Sequence, residues 1–322
     1  MNSRTLGRTG LRLSEIGCGA WGVGGEQWRG ATDDESLTAL HCAFELGVNF
    51  IDTALAYGDG HSEQVVGRAV KEVGRPIIIA TKIPPKNRTW PVASGSTLDE
   101  VFPAAHVTAC TEESLRNLGV AAIDLQQLHV WNPRWTSQDE WRRVFEDLKR
   151  SGKVCFIGVS LTEHDADSGL ELIRTGLVDA VQVLYNIFDP SAAERLFPLA
   201  QQLGVGVLAR VPLDEGGLTG SIYEDTKFEP GDFRNSYFRG DRRRQVAERV
   251  KLLRQDLGPQ AAPLPEIALR FCLSHAAVTS VIPGMRRVAH VKKNIAASDA
   301  GPLSSETLAA LARHRWQRNF YQ

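Results

Sequence analysis

Short apolar runs alternate with longer segments of helical period along almost the whole chain. A small hairpin comes first, with strands at 4–6 and 11–13 around a turn at 7–10. Eight further strand candidates follow, at 15–20, 49–51, 77–80, 124–128, 154–159, 180–184, 205–209 and 279–282. Between them the apolar positions recur with the 3–4 residue spacing of amphipathic helices, at 33–46, 62–73, 104–118, 138–150, 163–174, 192–203 and 265–274. A last helical pair occupies 288–296 and 304–314. Thr32, Asp33 or Asp34 suits the start of the first helix, and Gly47, Gly74, Gly119, Gly152, Gly176 and Gly204 stand where helices should stop.

Strands separated by helices predict parallel βαβ units. An open, doubly wound sheet has the same local pattern. The count of eight strands, the 322-residue length and the absence of a composition break favour a closed (β/α)8 barrel, which needs about 250 residues. The expected fold class is therefore α/β: one (β/α)8 TIM-barrel domain over 1–322, with a short N-terminal β-hairpin and extra C-terminal helices. Two irregular stretches, 84–103 and 211–240, each follow a strand and should lie over the barrel mouth, where substrate loops belong.

Composition narrows the function classes. Apolar residues make up 43% and charged residues 23%, with a formal net charge of −1. No basic field exists to attract nucleic acid, and Arg242-Arg243-Arg244 reads as a solvated helix face. No apolar run reaches the roughly 18 residues of a membrane span. The N-terminus has no apolar leader, so the expected location is the cytoplasm. Cys18, Cys42, Cys110, Cys155 and Cys272 are scattered and odd in number, which indicates neither a disulfide framework nor a zinc site. Four of them fall in apolar surroundings and read as small buried hydrophobes. No metal is expected, and nothing in the sequence sets an oligomeric state.

Candidate chemistry stands at the strand ends. Asp52 ends the second strand, Lys82 the third, His129 the fourth and Ser160 the fifth; Gln182 lies in the sixth, Arg210 ends the seventh and Arg286 follows the eighth. In a barrel these ends share one mouth. Polar groups there are costly to dehydrate without partners, so their convergence is the pattern of an active site. The run Gly17-Cys18-Gly19-Ala20-Trp21-Gly22 matches GxGxxG, but no helix opens directly after it and the next strand-end acid, Asp52, is too distant for a dinucleotide fingerprint.

The segment Asn49-Phe50-Ile51-Asp52-Thr53-Ala54-Leu55-Ala56-Tyr57-Gly58, followed by Ser62-Glu63 and Gly67, resembles the aldo-keto reductase signature. Ala80-Thr81-Lys82, Leu128-His129, Ile157-Gly158-Val159-Ser160 and Ile282-Pro283-Gly284 are similar to further segments of that family, in order. The resemblance implies an NAD(P)H-dependent reductase acting on a small-molecule aldehyde or ketone. Tyr57 would be the general acid, Lys82 and Asp52 its tuning pair, and His129 the residue that positions the carbonyl. Lowering a phenol from about 10 to about 7 takes about 4 kcal/mol, and an ammonium about 4 Å away supplies about that much at an effective dielectric near 20.

The resemblance further implies a nicotinamide held by Ser160 and Gln182, with Ala20 and Trp21 in the first βα loop. Pro212, Leu213, Gly216, Leu218 and Gly220 would cover the pyrophosphate, and Gly284, Arg286, His290 and Asn294 the adenosine half. Arg286 and Arg287 could grip a 2′-phosphate, so NADPH is expected, with NADH possible. Three positions depart from the family pattern: Leu161 where an Asn is usual, Arg210 where an aromatic stacks on nicotinamide, and Lys293 for a Glu. The guanidinium of Arg210 should repel an oxidised nicotinamide, or else serve an anionic substrate. Asp214 and Glu215 are expected to point outward or to sit in ion pairs. Trp21, Trp90, Trp131, Trp135, Phe188 and Tyr237 are candidates for an apolar pocket. Leu161 and Arg210 also motivate a non-net-redox alternative, an epimerase or lyase working through transient oxidation. A cofactor-sensing regulatory subunit is the non-enzymatic alternative, which the intact set Asp52, Tyr57, Lys82 and His129 argues against.

Overall fold

The computed structural model describes residues 1–322 and contains ten strands. β1 (Ser3–Thr5) and β2 (Arg12–Ser14) form the antiparallel hairpin. The others are β3 (Cys18–Gly19), β4 (Phe50–Asp52), β5 (Ile78–Ile83), β6 (Ile123–Leu128), β7 (Val154–Ser160), β8 (Ala180–Leu184), β9 (Gly206–Arg210) and β10 (Val278–Val281). They pair in parallel in sequence order from β3 to β10. Bridges Ile16 to Val281 and Gly19 to Gly284 join the first strand to the last and close the (β/α)8 barrel. Gly19 permits that closure, because a Cβ there would lie 2.6 Å from the Ile282 carbonyl oxygen.

Alternation along the strands sorts side chains into two layers. Phe50, Ala80, Leu125, Ala180, Leu208 and Ile282 form a small apolar cluster with Leu6 and Leu13 of the hairpin. The hairpin thus fills the N-terminal end of the barrel. Arg4 fixes it there, donating to the carbonyls of Leu273, His275 and Val278 and to Glu15. One inward step further, at the same strand parity, come Asp52, Lys82, Gln127, Gln182 and Arg210. The floor is therefore apolar and the mouth polar. The alternate positions join a separate cluster of 78 residues between the strands and the surrounding helices.

The first helix, Asp33–Glu45, carries a capping box between Thr32 and Glu35, and Gly74, Gly119 and Gly204 end their helices in the left-handed conformation. Several expectations need correction. The first strand is regular only at Cys18–Gly19. The helix expected at 163–174 is a 3-10 turn, Ala166–Gly169, leading into Leu170–Arg174, because His164 adopts φ +57° and Asp165 caps Ser168 instead. The helix expected at 192–203 begins at Leu196, after a non-helical Arg195. A 16-residue helix, Arg242–Leu257, follows the second irregular stretch, and Arg244 pairs with Asp241 and Glu248 on its exposed face. Of the cysteines, Cys18, Cys110 and Cys272 are buried, Cys42 is half-buried and Cys155 is exposed. No helix is long and apolar enough to cross a membrane.

Candidate active site

Lys82 ends the inward row of β5 with its side chain wholly buried. Its Nζ donates to Asp52 Oδ1 at 2.5 Å, to the Thr53 carbonyl at 2.8 Å and to Tyr57 Oη at 3.3 Å. All three ammonium protons therefore have partners. Tyr57 sits in the turn after β4, whose backbone N–H bonds to the Ala54 carbonyl. Asp52 is held from its other side as well: Gln182 Nε2 donates to its Oδ2 at 2.7 Å and Gln127 Nε2 at 3.2 Å. A lone buried carboxylate would be strongly disfavoured, and here the ammonium and two amides stabilise it.

Burial pulls Lys82 down, but Asp52 and then Tyr57 outweigh it and hold the ammonium above its ordinary value. Burial also raises the Tyr57 phenol; Lys82 opposes this and Asp52 reinforces it, so the phenol stays above its usual 10. The expectation that Lys82 alone brings Tyr57 near neutrality is thereby corrected. It counted the ammonium and omitted both the lost hydration and the carboxylate behind it. His129, desolvated and facing Lys82 and Arg210, lies well below 6.5, so it is neutral at neutral pH. Its ring packs edge-on to Tyr57 at 5.6 Å, and its Nδ1 has no partner.

Trp21 stacks on Tyr57 at 6.1 Å, and Trp90, 40% exposed, meets His129 at 5.7 Å. These two flank the candidate acid and its neighbour. Trp131, Trp135, Phe188 and Tyr237 are fully buried in the core cluster between strands and helices, where they face no solvent.

Around the rim, Ser160 stands in register with Gln182, and both are buried. Leu161 turns outward into the core beneath Gly169, so no polar group follows Ser160. Arg210 donates to the Leu161 carbonyl and, at 3.0 Å, to Glu163. Arg210 is therefore ion-paired with Glu163 at the rim, and its charge still acts on His129. In the loop after β9, Pro212, Leu218 and Gly220 are buried, with Gly220 against Arg254, while Leu213 and Gly216 are half-buried. Asp214 and Glu215 point inward, Asp214 paired with Arg318 and Glu215 accepting from Tyr321. The ion pair was anticipated for Asp214; the hydroxyl partner of Glu215 was not.

Ala20 is buried and its N–H bonds to the Asp52 carbonyl. Gly22 lies against Arg286, whose guanidinium donates to the carbonyls of Trp28 and Arg29. Gly284 is exposed with open space around it, and Asn294 is buried beside it. Partial burial of the ring, then Arg287, Arg286 and Lys293, hold His290 below its usual value. These cations gather at the start of the helix Val288–Asp299, whose N-cap makes no side-chain bond. Free backbone N–H groups and clustered cations fit a phosphate. Open space at Gly284 and the half-buried Gly216 fit the remainder of a dinucleotide lying along the rim.

Sequence reasoning missed Gln127, Glu163, Arg318 and Tyr321. Gln127 shares strand parity with Leu125 and Lys82, and the alternation alone could have exposed it. The other three carry no local signal.

Residues 15–315 match the sequence profile described as the aldo/keto reductase family. The chain is 31% identical to an NADH-specific methylglyoxal reductase of Escherichia coli, over 97% of this chain and 100% of that one. It is 30% identical to an uncharacterized oxidoreductase of Bacillus subtilis, covering 98% and 97%. Among solved structures, an aldo-keto reductase of Bacillus halodurans in its holo form superposes with a TM-score of 0.77 at 29% identity, covering 98% and 96%. The apo form of the same protein gives 0.71.

Proposed function

This chain belongs to the aldo/keto reductase family of nicotinamide-dependent oxidoreductases, and from that premise we propose that it reduces a small aldehyde or ketone with Tyr57 as general acid. The observation that carries this reading is the buried Lys82 ammonium, shared among Asp52, Thr53 and the Tyr57 hydroxyl beside a neutral imidazole.

When bound, the reduced nicotinamide supplies hydride to the carbonyl carbon. Tyr57 gives its proton to the carbonyl oxygen as negative charge grows there. Burial keeps the phenol protonated, and the nascent alkoxide is a far stronger base than a phenolate, so the transfer runs downhill. Lys82 stabilises the phenolate left behind, and Asp52 keeps Lys82 charged and aimed. His129, neutral, orients the carbonyl oxygen through a ring N–H; as an imidazolium it would be a third cation beside Lys82 and Arg210. Trp21 and Trp90 wall the reacting carbonyl from water.

Ser160 and Gln182 hold the nicotinamide carboxamide, Gln182 through the oxygen its bond to Asp52 leaves over. Ala20, Trp21 and Arg210 border the ring. Pro212, Leu213, Gly216, Leu218 and Gly220 cover the pyrophosphate, and Gly284, Arg286, His290 and Asn294 take the adenosine end. The cationic corner at Arg286 and Arg287 favours NADPH over NADH. The whole chain, 1–322, acts as one cytoplasmic barrel domain.

Consumption of reduced cofactor across a carbonyl panel that includes methylglyoxal tests the reading. Turnover that Tyr57→Phe abolishes is expected. Tight NADPH binding without turnover of any carbonyl, or full turnover by Tyr57→Phe, would refute it.

A further inference from the structure

The loop 211–220 carries left-handed backbone at three non-glycine residues, Val211 (φ +56°), Asp214 (φ +52°) and Glu215 (φ +53°). Side chains with a Cβ adopt that conformation only where surroundings enforce it. The same loop buries two carboxylates, Asp214 and Glu215, at 1% and 7% exposure. Both are met by the last residues of the chain. Arg318 Nη2 lies 2.5 Å from Asp214 Oδ2, with Tyr237 Oη on the other carboxylate oxygen at 3.1 Å. Tyr321 Oη donates to Glu215 Oε1 at 2.5 Å.

The segment beyond the last helix has no regular structure and is held by its side chains and a few carbonyls. The Arg318 guanidinium sits 4.4 Å from the ring centres of both Trp316 and Phe320, and Asp214 is its only polar partner. Its Nε and Nη1 are buried without acceptors. Arg242 secures the end of the chain through the carbonyls of Phe320 and Gln322. Tyr321 packs on Phe233 at 6.2 Å, Phe233 on Trp21 at 5.0 Å, and Trp21 on Tyr57. The tail is therefore continuous, through one aromatic row, with the wall of the candidate site.

We propose that Trp316–Gln322 is a clasp on the loop 211–220, in which Arg318 and Tyr321 are positioning residues that keep the loop closed over the nicotinamide cofactor and set how fast the cofactor leaves. The proposal rests on the reading of that loop as the pyrophosphate cover. Two carboxylates beside a pyrophosphate would repel it, and the clasp removes that conflict: Arg318 neutralises Asp214, and Tyr321 turns Glu215 into an internal hydrogen-bond partner. It also supplies the outside constraint that the left-handed residues require.

The test measures NADPH dissociation by stopped-flow tryptophan fluorescence, together with limited proteolysis of the cofactor-free full-length protein. Arg318→Met should raise the dissociation rate about tenfold or more, and Tyr321→Phe, which keeps the ring, by about three-fold. Both should open a cleavage site within 211–220. Because Arg318→Met strands a buried carboxylate, the pair Asp214→Asn/Arg318→Met provides a folded control. It should regain thermal stability and still release NADPH quickly. Dissociation rates within about two-fold of the parent in all these variants would overturn the clasp. If the parent chain bound neither NADPH nor NADH, the reading of the site would fall. Proteolysis would then decide the clasp alone, and unchanged cleavage at 211–220 would overturn it.

Discussion

Replacing Lys82 with Met removes the ammonium and keeps most of the stem's volume. At the observed 3.3 Å, the attraction between the ammonium and a Tyr57 phenolate is about 5 kcal/mol at an effective dielectric near 20. If that attraction is fully developed when the proton has left Tyr57, its loss slows the chemical step by between three and four orders of magnitude, at about 1.4 kcal/mol per decade. A second effect accompanies it. Asp52 is left buried with only the amides of Gln127 and Gln182, which should destabilise the fold by about 3–5 kcal/mol. The two effects separate in Lys82→Met/Asp52→Asn, which should recover the thermal midpoint but not the rate. Single-turnover oxidation of bound NADPH, read alongside thermal melts, gives both quantities. Adding Tyr57→Phe to Lys82→Met should cost almost nothing further, since the two act as a unit. A Lys82→Met protein with a chemical step within tenfold of the parent would refute the reasoning.

Other outcomes follow from the same geometry. Burial raises the Glu215 carboxyl from 4.5 to about 7. The folded protein therefore holds a proton that the unfolded chain releases. Its stabilising contribution is complete below about pH 4.5 and is lost as pH rises through about 7, amounting to about 3 kcal/mol. Melts of the parent against Glu215→Gln should diverge across that window, and a pH-independent difference would contradict the assignment. His129 should show no imidazole titration by NMR between about pH 6 and 8, because burial, Lys82 and Arg210 keep it neutral; a midpoint near 6.5 would show that the ring is hydrated. Arg286→Ala should weaken NADPH about tenfold or more while leaving NADH within about two-fold, and equal losses for both would remove Arg286 from 2′-phosphate recognition.

The barrel was legible because its signal repeats: each strand is a short apolar run, and several helices end at a glycine, among them Gly74, Gly119 and Gly204. Asp52, Lys82 and His129 were legible because the chain places them at strand ends, and parallel strands deliver their ends to one rim; Tyr57, in the turn after β4, was legible only through the family resemblance. Their titration was not. It depends on burial and on a third charge, neither of which spacing encodes. Helices broken by a single residue, as at His164 and Arg195, escaped because the apolar period continues across the break. Glu163, Arg318 and Tyr321 escaped for a different reason: each meets a partner from another part of the chain, and no local pattern announces a contact of that kind.

The seam between β3 and β10 carries a consequence for how the molecule is made. Gly19 pairs with Gly284, and Arg4 reaches the carbonyls around Val278, so the cylinder can be sealed only after nearly all of the chain has left the ribosome. Until then β3 and the growing edge expose unpaired backbone, and a topology that joins distant residues assembles slowly. Nascent chains arrested before Val278 should bind chaperones and resist release, whereas chains extended past Gly284 should let go; protection of the Gly17 and Gly19 amides against hydrogen exchange should be among the last to develop during refolding.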